Sequence, residues 1–152
     1  MNRIFQSTAA VLSLVSSISA HSQVTCPSGT TQELDAIAWA KGKTLCAVRG
    51  ALRWQEFHVD SPTVAGRRLI DFKLGPGHSI DPTKDVGTWD ARGGNIGPSG
   101  GPILFHLYSG GQSYAWLICR EAGGSSWTLR STGTDGDITG ATLLTGQVSC
   151  GF

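Results

Sequence analysis

Leu69-Ile70-Asp71-Phe72-Lys73-Leu74 sets apolar Ile70, Phe72 and Leu74 against charged Asp71 and Lys73 at every second position. A period of two puts one set of side chains on a dry face and the other on a wet face, which predicts a β-strand with Ile70, Phe72 and Leu74 inward. The pattern extends both ways from there. Leu52 to Val59 reads as a strand with aromatic or apolar residues on both faces, and Val86 to Ala91 as a shorter one containing Trp89. Ile103 to Tyr108 and Gln112 to Cys119 flank Ser109-Gly110-Gly111, a tight hairpin in which glycine permits positive φ. Gly123-Gly124 marks the turn before Ser126 to Arg130, and a last strand falls between Thr142 and Cys150. Seven or eight short strands with no interleaved helices exclude a parallel β-α-β order. The expected fold is mainly β: one antiparallel meander that rolls into a small barrel, or a sandwich, so that few edges stay open.

Ahead of the strands, Thr30-Thr31-Gln32-Glu33 fits a capping box, and Leu34, Ile37 and Ala38 follow at helical spacing. Lys41 suits the negative end of a helix dipole and Gly42 a helix stop, which predicts one short helix over about 31–41. Four cysteines, an even number, read as two disulfides. Spacing alone allows three pairings. Cys26–Cys46 and Cys119–Cys150 are favoured because each closes a loop within one end of the chain, at roughly 3–4 kcal/mol of stabilisation apiece. Zinc would ask for close Cys-x-x-Cys or Cys/His pairs, and the sequence has none.

Residues 1–22 have the layout of a secretory signal peptide, with Arg3 as the positive region, Ala9 to Ile18 as the apolar stretch and Ala20-His21-Ser22 as a small-x-small cleavage site. Gln23-Val24-Thr25 before Cys26 lacks the small residue that precedes a lipid-attachment cysteine. No other apolar run approaches the roughly 20 residues of a spanning helix. The expectation is a secreted or periplasmic monomer, a single β-rich domain over 23–152 that is neither lipoprotein nor membrane-spanning. Without Arg3 the basic and acidic side chains balance at eleven each. That balance argues against nucleic acid as a partner. Arg67-Arg68, the one adjacent basic pair, reads as a solvated turn, and Gly/Pro-rich Arg92 to Pro102 as a mobile loop.

Trp54-Gln55-Glu56-Phe57-His58, then Leu69 to Gly77, Asp81-Pro82, Val86-Gly87-Thr88-Trp89 and Tyr108-Ser109-Gly110-Gly111-Gln112-Ser113-Tyr114 follow one another in order. That succession, over roughly residues 44–118, resembles a group of small, exported, uncharacterised proteobacterial β-rich proteins. The resemblance implies export and a β-rich fold and carries no chemistry with it. The general shape expected is lipocalin-like, without the signature motifs of that family.

Several motifs invite chemical readings. Gly97-Pro98-Ser99-Gly100-Gly101 looks like the nucleophile segment of chymotrypsin-like proteases, with proline where that family carries Asp. Only His58 and His78 precede it after residue 22, and too little chain lies upstream for the two barrels such a triad needs. A Gly/Pro-rich loop is the better reading. Thr134-Asp135-Gly136-Asp137 hints at calcium, but a full loop takes about 12 residues ending in a bidentate acid, and none follows. Asp81-Pro82 and Asp85 look like turn residues. His58 and His106 each sit on a predicted strand, and Glu56 shares a face with His58 by period two. Were those strands to face one another, Glu56, His58 and His106 would form an acid–base group or a ligand set. They are the catalytic candidates.

Trp54, Trp89, Tyr114, Trp116 and Trp127 are many large rings for one small domain, and Tyr114, Trp116 and Ile118 share a strand face. Inward rings fill a small barrel; they also line ligand sites. Trp54, Trp89, Tyr114 and Trp116 are therefore the candidate ligand-binding residues. The favoured function is a non-catalytic exported binding module for a small apolar ligand or a protein partner, inhibitor-like in the latter case, with no cofactor and no metal. The alternatives are an effector acting through a surface patch, and a small hydrolase using Glu56 and His58. The hydrolase requires Glu56 and His58 in a concave pocket within reach of His106.

Overall fold

In the computed structural model, which describes residues 24–72, 79–80, 83–92 and 101–152, the alternation seen in the sequence closes on itself. Among the described residues the strands are β1 (Thr31–Gln32), β2 (Lys43–Arg49), β3 (Leu52–His58), β4 (Arg68–Asp71), β5 (Lys84–Arg92), β6 (Ile103–Tyr108), β7 (Ser113–Arg120), β8 (Trp127–Ser131) and β9 (Ile138–Thr145). Every pairing is antiparallel. β2 to β9 run in the cyclic order β2-β3-β4-β5-β6-β7-β8-β9, with β9 back on β2, so eight strands make a closed barrel. β1 is the extra strand and pairs with the end of β7. Closure removes the exposed edges that a sheet of short strands would otherwise present.

Register decides which residues share the interior. Leu45 and Ala47 of β2 stand opposite Glu56 and Trp54 of β3, and Leu69 of β4 stands opposite His58. Trp89 lies opposite His106, which in turn lies opposite Tyr114. Leu45, Leu69, Trp89, Leu104, Trp116, Ile118, Leu129 and Ile138 form one buried cluster. Of the Leu69–Leu74 stretch, the part in β4 has the opposite phase to that expected. Leu69 and Asp71 face inward, and Ile70 pairs outward with Phe57. Phe72 is buried all the same. Beside it Gln55, on the outer face of β3, bonds both the Phe72 carbonyl and the Cys150 amide, so the C-terminal segment covers this outer face. Period two was right, but with both faces covered the apolar set no longer marks the inside. Lys73 and Leu74 lie outside the described residues.

The N-terminal helix is shorter than expected. α1 spans Ala36–Ala40 and is capped by Asp35, whose carboxylate accepts from the Ala38 amide at 2.8 Å. The capping box at Thr30 does not form. Thr30 bonds the Pro27 carbonyl, and the backbone of 31–33 is satisfied by β7, with the Glu33 amide donating to Ile118 O at 2.8 Å. A ladder was available to those residues, and it outcompetes the first helical turn. The buried face of α1 is Ala36, Trp39 and Ala40; Leu34 is left exposed. Trp39 meets Trp127 edge to face at 5.8 Å, and the helix packs on β2, β5 and β6 as a plug in one end of the barrel. Gly42, at φ +67°, stops the helix as expected and donates to the His58 carbonyl.

The disulfides join Cys26 to Cys119 and Cys46 to Cys150, not the neighbours along the chain. The reason lies in the roll-up. β2 is hydrogen-bonded to β9, which brings the C-terminal segment to Cys46, and the segment at 24–26 packs on the outer face of β7 with Ile103 and Leu117. Each bridge therefore fastens a terminal segment to the outside of the barrel, and both are consistent with an oxidising, exported location. Arg67 also departs from expectation: only 13% of its side chain is exposed, and it pairs with buried Asp90 at 2.6 Å. Among the described residues no helix is long and apolar enough to cross a membrane. The signal peptide expected at 1–22, His78, Asp81-Pro82 and residues 97–100 of the Ser99 motif lie outside the described residues, as does most of the expected Arg92–Pro102 loop.

Candidate functional site at the open end of the barrel

α1 closes the end where β2 begins; at the other end β2 finishes at Arg49, and no helix covers the mouth among the described residues. Arg49, Trp54, Tyr108, Tyr114 and Trp116 surround this opening, with Glu56 at its floor. Three of these rings pack on one another: Tyr108 meets Tyr114 edge to face at 5.7 Å, and Tyr114 stacks on Trp116 at 5.9 Å with planes 10° apart. Gly87 lies opposite Tyr108 at φ +159°, and a Cβ there would fall on the Leu107 carbonyl. Glycine thus lets β5 pass close to β6.

Glu56 and His58 alternate inward on β3, His106 and Tyr108 on β6, and the barrel sets the two strands across from each other. A polar chain results along the barrel axis. His58 Nδ1 lies 3.3 Å from Lys43 O, His58 Nε2 lies 3.0 Å from His106 Nε2, His106 Nδ1 lies 3.3 Å from Glu56 Oε2, and the Tyr108 hydroxyl donates to Glu56 Oε1 at 2.6 Å. Glu56, His58 and His106 are all at most 4% exposed. The three candidate catalytic residues are thus brought into mutual reach, and Tyr108, which the sequence reading overlooked, completes the set. Its signal was present: it follows His106 by two residues on the same strand.

Hydrogen-bond logic assigns the protons. The Lys43 carbonyl can only accept, so His58 carries its proton on Nδ1. Burial, and next the charge on His106, hold the His58 pKa well below its ordinary 6.5, so the ring is neutral and accepts at Nε2. His106 Nε2 is then the donor. Glu56 Oε2 is buried at ion-pair distance from the His106 ring yet has no aligned hydrogen bond. Tyr108 lies far on the neutral side, its phenol pushed above the ordinary tyrosine range by burial first and by the charge of Glu56 next.

A pH dependence follows from His58. With its folded pKa depressed, its contribution to stability is complete above the unfolded-chain value of about 6.5 and is lost as pH falls from there toward the folded value. The expected result is an unfolding free energy, measured in urea, that drops between pH 7.5 and 5.5 by up to about 1.4 kcal/mol per pH unit for one proton. His58→Gln should flatten that slope; an unchanged slope would show that His58 titrates freely in the fold.

The other candidates fall elsewhere. Trp89 is fully buried toward the α1 end, with its indole N–H on Val59 O at 3.1 Å, so it is apart from the mouth that Trp54, Tyr114 and Trp116 share. His58 and His106 bond to each other, and among the described residues no three His, Cys, Asp or Glu side chains are placed to hold a metal ion. In the Thr134–Asp137 turn, Asp137 accepts from the Ser131 amide and pairs with Arg130, while the carbonyls of Asp135 and Gly136 hold Arg49. Asp85, expected in a turn, instead lies in β5 opposite Ile70, where it pairs with Arg68 and accepts from the Gly87 amide.

Below the rim, the space that a water-sized molecule can enter is about 20 Å³, room for one water or two; at the mouth it widens to about 320 Å³. Comparison with protein-family models, with curated proteins and with solved structures finds no match to this chain.

Proposed function

We propose that this chain is an exported, secreted or periplasmic, non-catalytic binding module that holds a small ligand at the open mouth of its barrel. The observation that carries this reading is the makeup of the mouth: apolar rings from β3, β6 and β7 around one buried carboxyl oxygen that lacks a hydrogen bond. Concave, mostly apolar sites with a few placed polar groups are the usual form of small-ligand sites. The barrel below is filled, so a long acyl chain has no place in it and the ligand must be small enough to sit at the rim.

A hydrolase is the second reading, favoured by the reach between Glu56 and His106. It is weaker because the water-sized space at the floor admits no scissile bond, and His106 is engaged with His58 at 3.0 Å.

Native mass spectrometry of the protein isolated without denaturation from cells that export it tests the binding reading. A small molecule should accompany the folded chain and be lost from the Trp54→Ala/Tyr114→Ala variant, whose affinity should fall about tenfold or more with two ring contacts removed. A ligand-free protein, or one whose ligand survives both substitutions, overturns the assignment to the mouth.

A further inference from the structure

We propose that the ligand of this mouth is a primary ammonium cation carried on a small, flat apolar body, with its head against Glu56 Oε2 and its body among Trp54, Tyr114 and Trp116. The inference rests on the binding reading above and names the chemistry that the site selects.

Three observations lead to it. Glu56 lines the floor of the mouth; its Oε2 is buried, 3.3 Å from His106 Nδ1 and without an aligned hydrogen bond, whereas its twin Oε1 is occupied by Tyr108. A buried carboxyl oxygen left so is costly, and a ligand N–H donor would complete it. The space that Glu56 lines below the rim is water-sized, which suits an ammonium head and excludes a carboxylate or a ring. Above it stand the rings of Trp54, Tyr114 and Trp116, side chains of the kind that favour organic cations. The molecule already uses one of these rings so: the Arg49 guanidinium lies over Trp54 at 5.5 Å, held there by the carbonyls of Asp135 and Gly136.

Calorimetric titration of the disulfide-bonded protein near pH 6.5 with benzylammonium, benzyl alcohol and benzoate decides it. Benzylammonium should bind at least about tenfold more tightly than the alcohol, and benzoate should not bind. Glu56→Gln should abolish the preference for the cation. Should that variant fail to fold, the preference of the unaltered protein for the cation over the alcohol still decides. Equal or tighter binding of the alcohol or benzoate, or a cation preference that survives Glu56→Gln, overturns the ammonium assignment and leaves mouth binding in place. Binding of none of the three also overturns it, and the mass-spectrometric experiment then judges the mouth separately.

Discussion

Loss of the Cys46–Cys150 bridge, through Cys46→Ser with Cys150→Ser, is expected to lower the unfolding free energy by about 4–5 kcal/mol, the largest change any covalent edit to this domain should produce. The bridge closes a loop of 104 residues, and the chain-entropy model gives about 4.7 kcal/mol for a loop near that size. A typical domain has about 5–15 kcal/mol in all. The effect is compounded because the bridge is what keeps the C-terminal segment on the barrel. Gln55 is fully buried and bonded to the Cys150 amide, and Thr44 accepts from the Val148 amide at 3.3 Å while donating to Gly146 O at 2.7 Å. A detached segment would leave Gln55 and the outer face of β2 and β3 uncovered. Urea unfolding measures the loss, and hydrogen exchange should show amides of β2 and β3 deprotected before those of β6 and β7. A loss below about 2 kcal/mol would mean that noncovalent contacts alone hold the segment. Peptide mapping without reduction should recover Cys26 linked to Cys119, the pairing on which this account of both termini depends.

The pairing illustrates what the sequence conveys and what it does not. Period two, glycine turns and the absence of interleaved helices led to an antiparallel barrel, because those signals are local and so is the choice between strand and helix. Pairing of Cys46 with Cys150 is a consequence of β9 returning to β2, which no local spacing encodes. The phase of Leu69–Phe72 was lost for a related reason: alternation tells inside from outside only while one face stays wet, and here the C-terminal segment covers the outer face. Residues 31–33 show local preference yielding, since a capping signal gave way to a ladder with β7 that lies almost ninety positions further on. The candidate site was more legible. Glu56 and His58, His106 and Tyr108 each sit two apart on their strands, so each pair had to share a face; only the facing of the two strands awaited the structure. Trp89 was grouped with the mouth rings because sequence shows a ring's face but not its height in the barrel.

That height underlies the second large effect expected. Trp89→Ala should cost about 3–5 kcal/mol, the range for removing a large ring from a packed core. Trp89 is wholly buried, meets His58 edge to face at 5.3 Å, and carries the Arg67 guanidinium at 5.4 Å on its face. Its indole N–H ties the Val59 carbonyl to the core, and Arg67 in turn holds Asp90. Truncation therefore opens a cavity beside a neutral histidine, orphans a carbonyl and loosens a largely buried ion pair, each of which adds to the cost of lost packing. Trp54→Ala removes a ring of the same size from the open end, where it is only half-buried and borders water, so little new cavity forms. Its cost should be less than half that of Trp89→Ala in the same denaturant experiment, while its effect on ligand binding should be the larger of the two. Equal destabilisation by the two substitutions would contradict a barrel filled at the α1 end and open at the other, and with it the assignment of the mouth as the binding end.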